Sequence, residues 1–86
     1  MHTDPRLKEA AARDPESEVQ VVVGCDGYTE STKSLLLAAG LKIENEGSAE
    51  LGLVAGRLKL SQIKDLEAIN EVTSIEPDEE AQALGD

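Results

Sequence analysis

VQVVV, residues 19–23, is the run on which the fold turns: four of its five side chains are β-branched valines. Near-continuous valine of this kind suits a central strand with both faces covered. Gly24 to Gly27 end the run. Beyond them Thr29 stands where an N-cap belongs, with Glu30 just inside the first turn. Thr32, Leu35, Leu36 and Ala39 then recur at helical spacing up to Gly40. The spacing predicts a helix with both ends marked.

Further along, LKIENE (41–46) alternates apolar and polar residues, Glu46-Gly47-Ser48 supplies turn chemistry, and LGLVAGRL (51–58) provides a second arm. Together they predict a hairpin. Gly52, Val54, Gly56 and Leu58 share one face of that second arm, where the two glycines leave room for a helix to approach. Leu51, Leu53, Ala55 and Arg57 share the other face. Ser61 is the expected N-cap of SQIKDLEAIN, in which Leu60, Ile63, Leu66 and Ile69 fall three apart on one stripe. Asn70-Glu71 closes that helix. VTSIE (72–76) gives a last strand, and Pro77 is expected to stop further central pairing.

In the other direction from VQVVV, Asp4-Pro5 followed by RLKEAAAR and Asp14-Pro15 predicts a short helix with few apolar anchors, hence a loosely docked leader. EEAQALGD (79–86) is a polar tail with nothing to order it alone. The division is thus a leader at 1–16, a folded domain at 17–78 and a flexible tail at 79–86. The order β-α-β-β-α-β with right-handed crossovers predicts an α+β domain: a four-stranded antiparallel sheet with two helices on one face, the ferredoxin-like plait. Its second sheet face would stay uncovered, with only Gln20, Arg57 and Ser74 to solvate it.

Eighty-six residues make one small domain. With Tyr28 the sole aromatic, its core must be aliphatic, which leaves little room for a deep cofactor pocket. The formal charge of -10 makes nucleic acid and anionic membrane surfaces repulsive partners. Such an acidic excess fits solubility, adaptation to high salt, or a basic partner. A single cysteine cannot form an internal disulfide, and MHTDPRLKEAAARD is charged where a secretory signal needs an apolar run. A cytoplasmic protein is expected, and no stretch approaches the ~20 apolar residues of a membrane span.

Several chemistries lack their residues. His2, the only histidine, lies in the leader, where it cannot be held as a general base. Cys25 in GCDGYTES offers one soft ligand, too few for a metal, and reads as a small strand-end residue. The strands carry no aromatics on which RNA bases could stack. Asp26, Glu44, Glu46 and Glu50 could be called paired carboxylates for acid/base work, yet on so acidic a chain a cluster near a hairpin reads as solvated surface. The Gly24 to Gly27 turn lacks the lysine and spacing of a phosphate loop. No enzyme activity and no cofactor are expected.

The run GLVAGRLKLSQIKDLEAINEVTSIEPDEEAQAL, residues 52–84, resembles the propeptides of subtilisin-type serine proteases and their free-standing inhibitor relatives. The resemblance lies in an apolar-small-apolar strand (Val54, Gly56, Leu58), a helix with a central leucine (Leu66), and a strand ending in an acidic pair (Val72, Ile75, Glu76, Asp78) before an extended tail. It implies an inhibitor and folding chaperone whose open sheet face, with Leu53, Ala55 and Arg57, docks on two surface helices of the protease. Glu46 and Glu50, flanking the hairpin turn, would cap the N-termini of those helices, where unpaired N–H groups favour anions. The tail would lie in the substrate cleft like a product, with Ala81, Gln82, Ala83 and Leu84 leading up to the scissile position. Leu84 would then fill the primary pocket, and Ala81 the pocket three residues upstream.

Gly85 and Asp86 run past the family's last tail residue, and Pro77 replaces a more usual polar residue. The chain would be a free-standing inhibitor or a piece of a secreted pro-protease, the latter changing its compartment. Two rivals stand beside this reading. One is a regulatory plait that forms a homodimer through its open sheet face and binds a small ligand there. The other is a small enzyme that brings two of Asp26, Glu44, Glu46 and Glu50 together.

Overall fold

Around the valine run the chain builds one mixed sheet, seen in a computed structural model that describes residues 1–79. The central strand β2 (Glu18–Cys25) lies antiparallel between β4 (Leu53–Lys59) and β5 (Val72–Pro77). On one edge β3 (Lys42–Asn45) pairs antiparallel with β4, completing the expected hairpin. On the other edge β1 (His2–Thr3) pairs parallel with β5, giving the order β1-β5-β2-β4-β3. The expected four-stranded antiparallel sheet is therefore corrected to five strands with one parallel pairing. Among the described residues three helices accompany it: α1 (Pro5–Arg13), α2 (Glu30–Ala38) and α3 (Ile63–Glu67).

One aliphatic cluster joins the layers. Leu7 of α1, Leu36 of α2 and Leu66 of α3 meet Val21, Val23, Leu58 and Ile75 of the strands. Those strand residues share one side of the pleat, so all three helices lie on that side. Each fully buried leucine contributes about 1.5–3 kcal/mol of transfer free energy. The leader is thus no loose appendage, because Leu7 is 2% exposed. Asp4 caps α1 by accepting from the Arg6 N–H at 2.9 Å, and Pro5 opens the helix where an N–H is not needed.

The β2–α2 unit follows its sequence signals with one rotation. Thr29 caps α2, its hydroxyl accepting from the Thr32 N–H at 3.3 Å. The buried face carries Thr32 and Leu36, four apart, while Leu35 is 44% exposed against the expectation that it faces the core. Thr32 is tolerated inside because its hydroxyl donates to the Gly27 carbonyl at 3.2 Å. The Leu60, Ile63 and Leu66 stripe is buried as its spacing predicts, with Ile69 half-buried. Ser61 is not its cap. Leu60–Gln62 form a 3-10 turn, the Gln62 side chain accepts from the Lys59 N–H at 3.0 Å, and only five residues are α-helical.

Two further expectations change. The β4 glycines do not admit a helix: a side chain at Gly56 would sit 2.5 Å from the Lys42 carbonyl of β3, and one at Gly52 would strike the Cys25 carbonyl. Gly52 also holds φ +77°, so it closes the 3-10 turn Ala49–Leu51 in a conformation few other residues adopt. Pro77 does not stop pairing at once, since it lies opposite Val21 and the Asp78 N–H still donates to the Gln20 carbonyl at 2.9 Å. No helix among the described residues is long and apolar enough to cross a membrane.

Candidate docking surface

Pleating sends the alternate residues of the sheet to the side that no described helix covers. Across that side run the rows Glu76–Val22–Ala55, Ser74–Gly24–Leu53 and, at one end, Gln20–Arg57–Lys42. β2 is central but, among the described residues, covered on one face only, so Val22 is half-buried while Val21 and Val23 are fully enclosed. The expectation of two covered faces for VQVVV is corrected accordingly.

The bare side has two ends of different character. At one, Arg57 and Lys42 face each other across β3 and β4, and carboxylates between them offset the like charge. Glu18 holds Lys42 at 2.8 Å and approaches Arg57 at 3.7 Å, while Glu44 approaches Arg57 at 3.6 Å and accepts from Gln20 at 3.3 Å. Lys42 beside it holds the Glu18 carboxyl below its ordinary value. Arg57, expected to face a partner, is thus already engaged within the sheet by two carboxylates, and its Nε is the one buried side-chain polar atom without a hydrogen bond among the described residues.

At the other end the surface is apolar. Leu53 is 38% exposed, Ala55 and Val22 are half-buried beside it, and Leu51 projects from the hairpin turn at 78% exposure. A shallow hollow of about 200 Å³ opens here, floored by Val22, Leu53 and Ala55 and edged by Asn45, Ser48 and Asp78. Glu76, opposite Val22, stands exposed beside it. An apolar patch with a polar rim is a form that protein-docking surfaces take.

The turn that carries Leu51 is braced from beneath. Tyr28 donates its hydroxyl to Glu46 at 2.6 Å, and Lys33 pairs with the same carboxylate at 3.5 Å. The Cys25 N–H donates to the Gly52 carbonyl at 2.6 Å. Burial, and then the Glu46 carboxylate, push the Tyr28 hydroxyl well above its ordinary value, while the Tyr28 bond holds Glu46 below its own. Glu46 therefore turns inward toward α2, whereas Glu50 makes no ion pair among the described residues.

The remaining candidates separate. Glu44 and Glu46 are held by different partners, Arg57 and Tyr28, so the structure does not bring them together as an acid/base pair. Cys25 is buried, and desolvation followed by the nearby Glu71 charge raises its thiol, which disfavours the reactive thiolate. No group of three or more metal-ligating side chains lies together among the described residues. Ala81, Gln82, Ala83 and Leu84 lie outside the described residues.

Sequence reasoning missed Val22, Asn45, Ser48 and Asp78 as parts of this surface, whereas it placed Leu51 on the same face as Leu53 and Ala55. For Val22 the alternation of the strand carried the signal; for Asn45, Ser48 and Asp78 only three-dimensional proximity does. None of the protein families, curated proteins or solved structures compared with the chain matches it.

Proposed function

We propose that this chain is a propeptide-like inhibitor, with folding-chaperone capacity, of a subtilisin-type serine protease. The observation that carries the reading is the bare sheet side, where Val22, Leu53 and Ala55 lie open while every described helix packs on the opposite side. A folded domain leaves such a patch uncovered at a cost of about 25 cal/mol per Å², which a partner recovers on docking. The reading takes β2-α2-β3-β4-α3-β5 as a ferredoxin-like plait to which β1 and α1 are added, and the strand order β5-β2-β4-β3 supports it.

In this reading the partner presents an apolar surface flanked by helix N-termini. Glu50, without an ion pair among the described residues, is the carboxylate that caps one of them, while Glu46 holds the turn in place. Ala81 to Leu84 then occupy the substrate cleft by strand addition, Leu84 in the primary pocket.

Titrating a subtilisin-type protease with the 86-residue chain and with a chain ending at Asp78 tests this. The full chain inhibits and the shortened one loses most of its potency. Two chains equally inert at micromolar concentration would end the proposal. Leu84→Asp should weaken inhibition by roughly 2 kcal/mol or more, because it buries an unpaired charge in an apolar pocket. Sedimentation decides against the chief rival: a mass that doubles with concentration would give the bare face to a second copy.

A further inference from the structure

Residues 2–6 make more contacts than a leader needs, and the contacts converge on the point where the chain leaves the sheet. β1 covers the outer edge of β5, His2 opposite Ser74 and Thr3 opposite Ile75, and the Asp4 N–H donates to the Ile75 carbonyl at 3.0 Å. Thr3 is 9% exposed, and its hydroxyl donates to Glu67 of α3 at 2.6 Å. Without β1, β5 would be an unprotected edge strand. Asp4 then grips the Arg6 guanidinium with both oxygens, at 3.1 and 2.9 Å. A guanidinium held in this fork is already oriented, and its remaining Nη1 pairs with Glu79 at 2.6 Å.

The last described residues are therefore held from two sides, Asp78 by the Gln20 carbonyl of β2 and Glu79 by Arg6. We infer that residues 2–6 are a strap that fixes the direction in which the chain leaves β5, with Asp4 and Arg6 as positioning residues for the tail. The inference rests on the inhibitor reading above. A tail that must lie in a cleft loses conformational freedom on binding, and anchoring its root removes part of that loss beforehand.

The experiment is a charge exchange. Arg6→Glu and Glu79→Arg are made singly and together in the 86-residue chain, and Arg6→Glu also in the chain ending at Asp78. Inhibition of a subtilisin-type protease and the thermal midpoint are read for each. Each single variant weakens inhibition by the full chain about fivefold, the scale of an exposed but organised pair, and Glu79→Arg does so with the midpoint unchanged. The double variant, in which the arginine now at position 79 can pair with the glutamate now at position 6 and with Asp4, recovers part of the lost potency. Arg6→Glu leaves the residual inhibition by the chain ending at Asp78 unaltered. Unchanged inhibition by the single variants, equal weakening of both chain lengths, or failure of the double variant to recover would each overturn the strap.

If the full chain does not inhibit at all, the inhibitor reading fails and the strap is decided without a protease. Hydrogen exchange at the Asp78 amide then accelerates in Arg6→Glu and recovers in the double variant. An exchange rate that ignores both substitutions would overturn the strap independently.

Discussion

Tyr28 is the only aromatic residue of the chain, so its ionisation can be followed by ultraviolet absorbance with no other signal beneath it. Burial is the largest single cause of its elevation, followed by the Glu46 carboxylate, which acts both as hydrogen-bond acceptor and through its charge. The absorbance midpoint is therefore predicted well above the ordinary value of 10, and Glu46→Gln should lower it while leaving it above 10. An unshifted midpoint in the parent chain would mean that Tyr28 does not brace the hairpin turn. The sign also sets its effect on stability: a raised folded-state value favours folding below pH 10 and loses that contribution as the pH climbs through the tyrosine's own midpoint. Leu51 makes a complementary case. Because it is 78% exposed, Leu51→Asp should leave the thermal midpoint within about 2 °C of the parent. The same variant should weaken inhibition at least tenfold if Leu51 belongs to the docking surface. Wild-type potency in that variant would confine the surface to the strands.

Elements were readable in the sequence where a strong local pattern agreed with the packing. The Thr29 cap, the Leu60-Ile63-Leu66 stripe and the hairpin all carry signals within a few residues, and each formed. The leader did not read correctly because its decisive contacts are with residues some seventy positions away: Thr3 against Ile75 and Glu67. A two-residue parallel strand has no periodicity of its own, and one buried leucine in nine helical residues is a weak stripe. Leu7→Ala measures that difference. For a core leucine it should cost about 2–5 kcal/mol in urea denaturation, whereas a loosely docked leader would lose under about 1 kcal/mol. The position of Leu35 failed for a related reason: α2 offers Leu35, Leu36 and Leu37 in succession, and only the sheet decides which of the three turns inward.

For the whole molecule, the two-layer outline and the bare side followed from the order of elements, while the division of that side into an ion-paired end and an apolar end needed coordinates. The ion-paired end has a pH signature. Lys42 depresses the Glu18 carboxyl, so their pairing stabilises the fold above the ordinary glutamate value of 4.5 and is lost as the pH falls through the lower folded-state value. Lys42→Met should thus lower the thermal midpoint near neutral pH, and the difference from the parent should shrink toward zero in acid below 4.5. A pH-independent difference would place the lysine's contribution in packing instead. The central claim is that the side of the sheet left open by the described helices is a docking face for a protease. Methyl NMR of the chain on adding a catalytically inactive subtilisin-type protease tests it most directly. The account predicts that Val22, Leu51 and Leu53 shift or broaden while Leu35 and Leu37 on α2 stay in place; perturbation of the α2 leucines with an unmoved Val22 and Leu53 would contradict it.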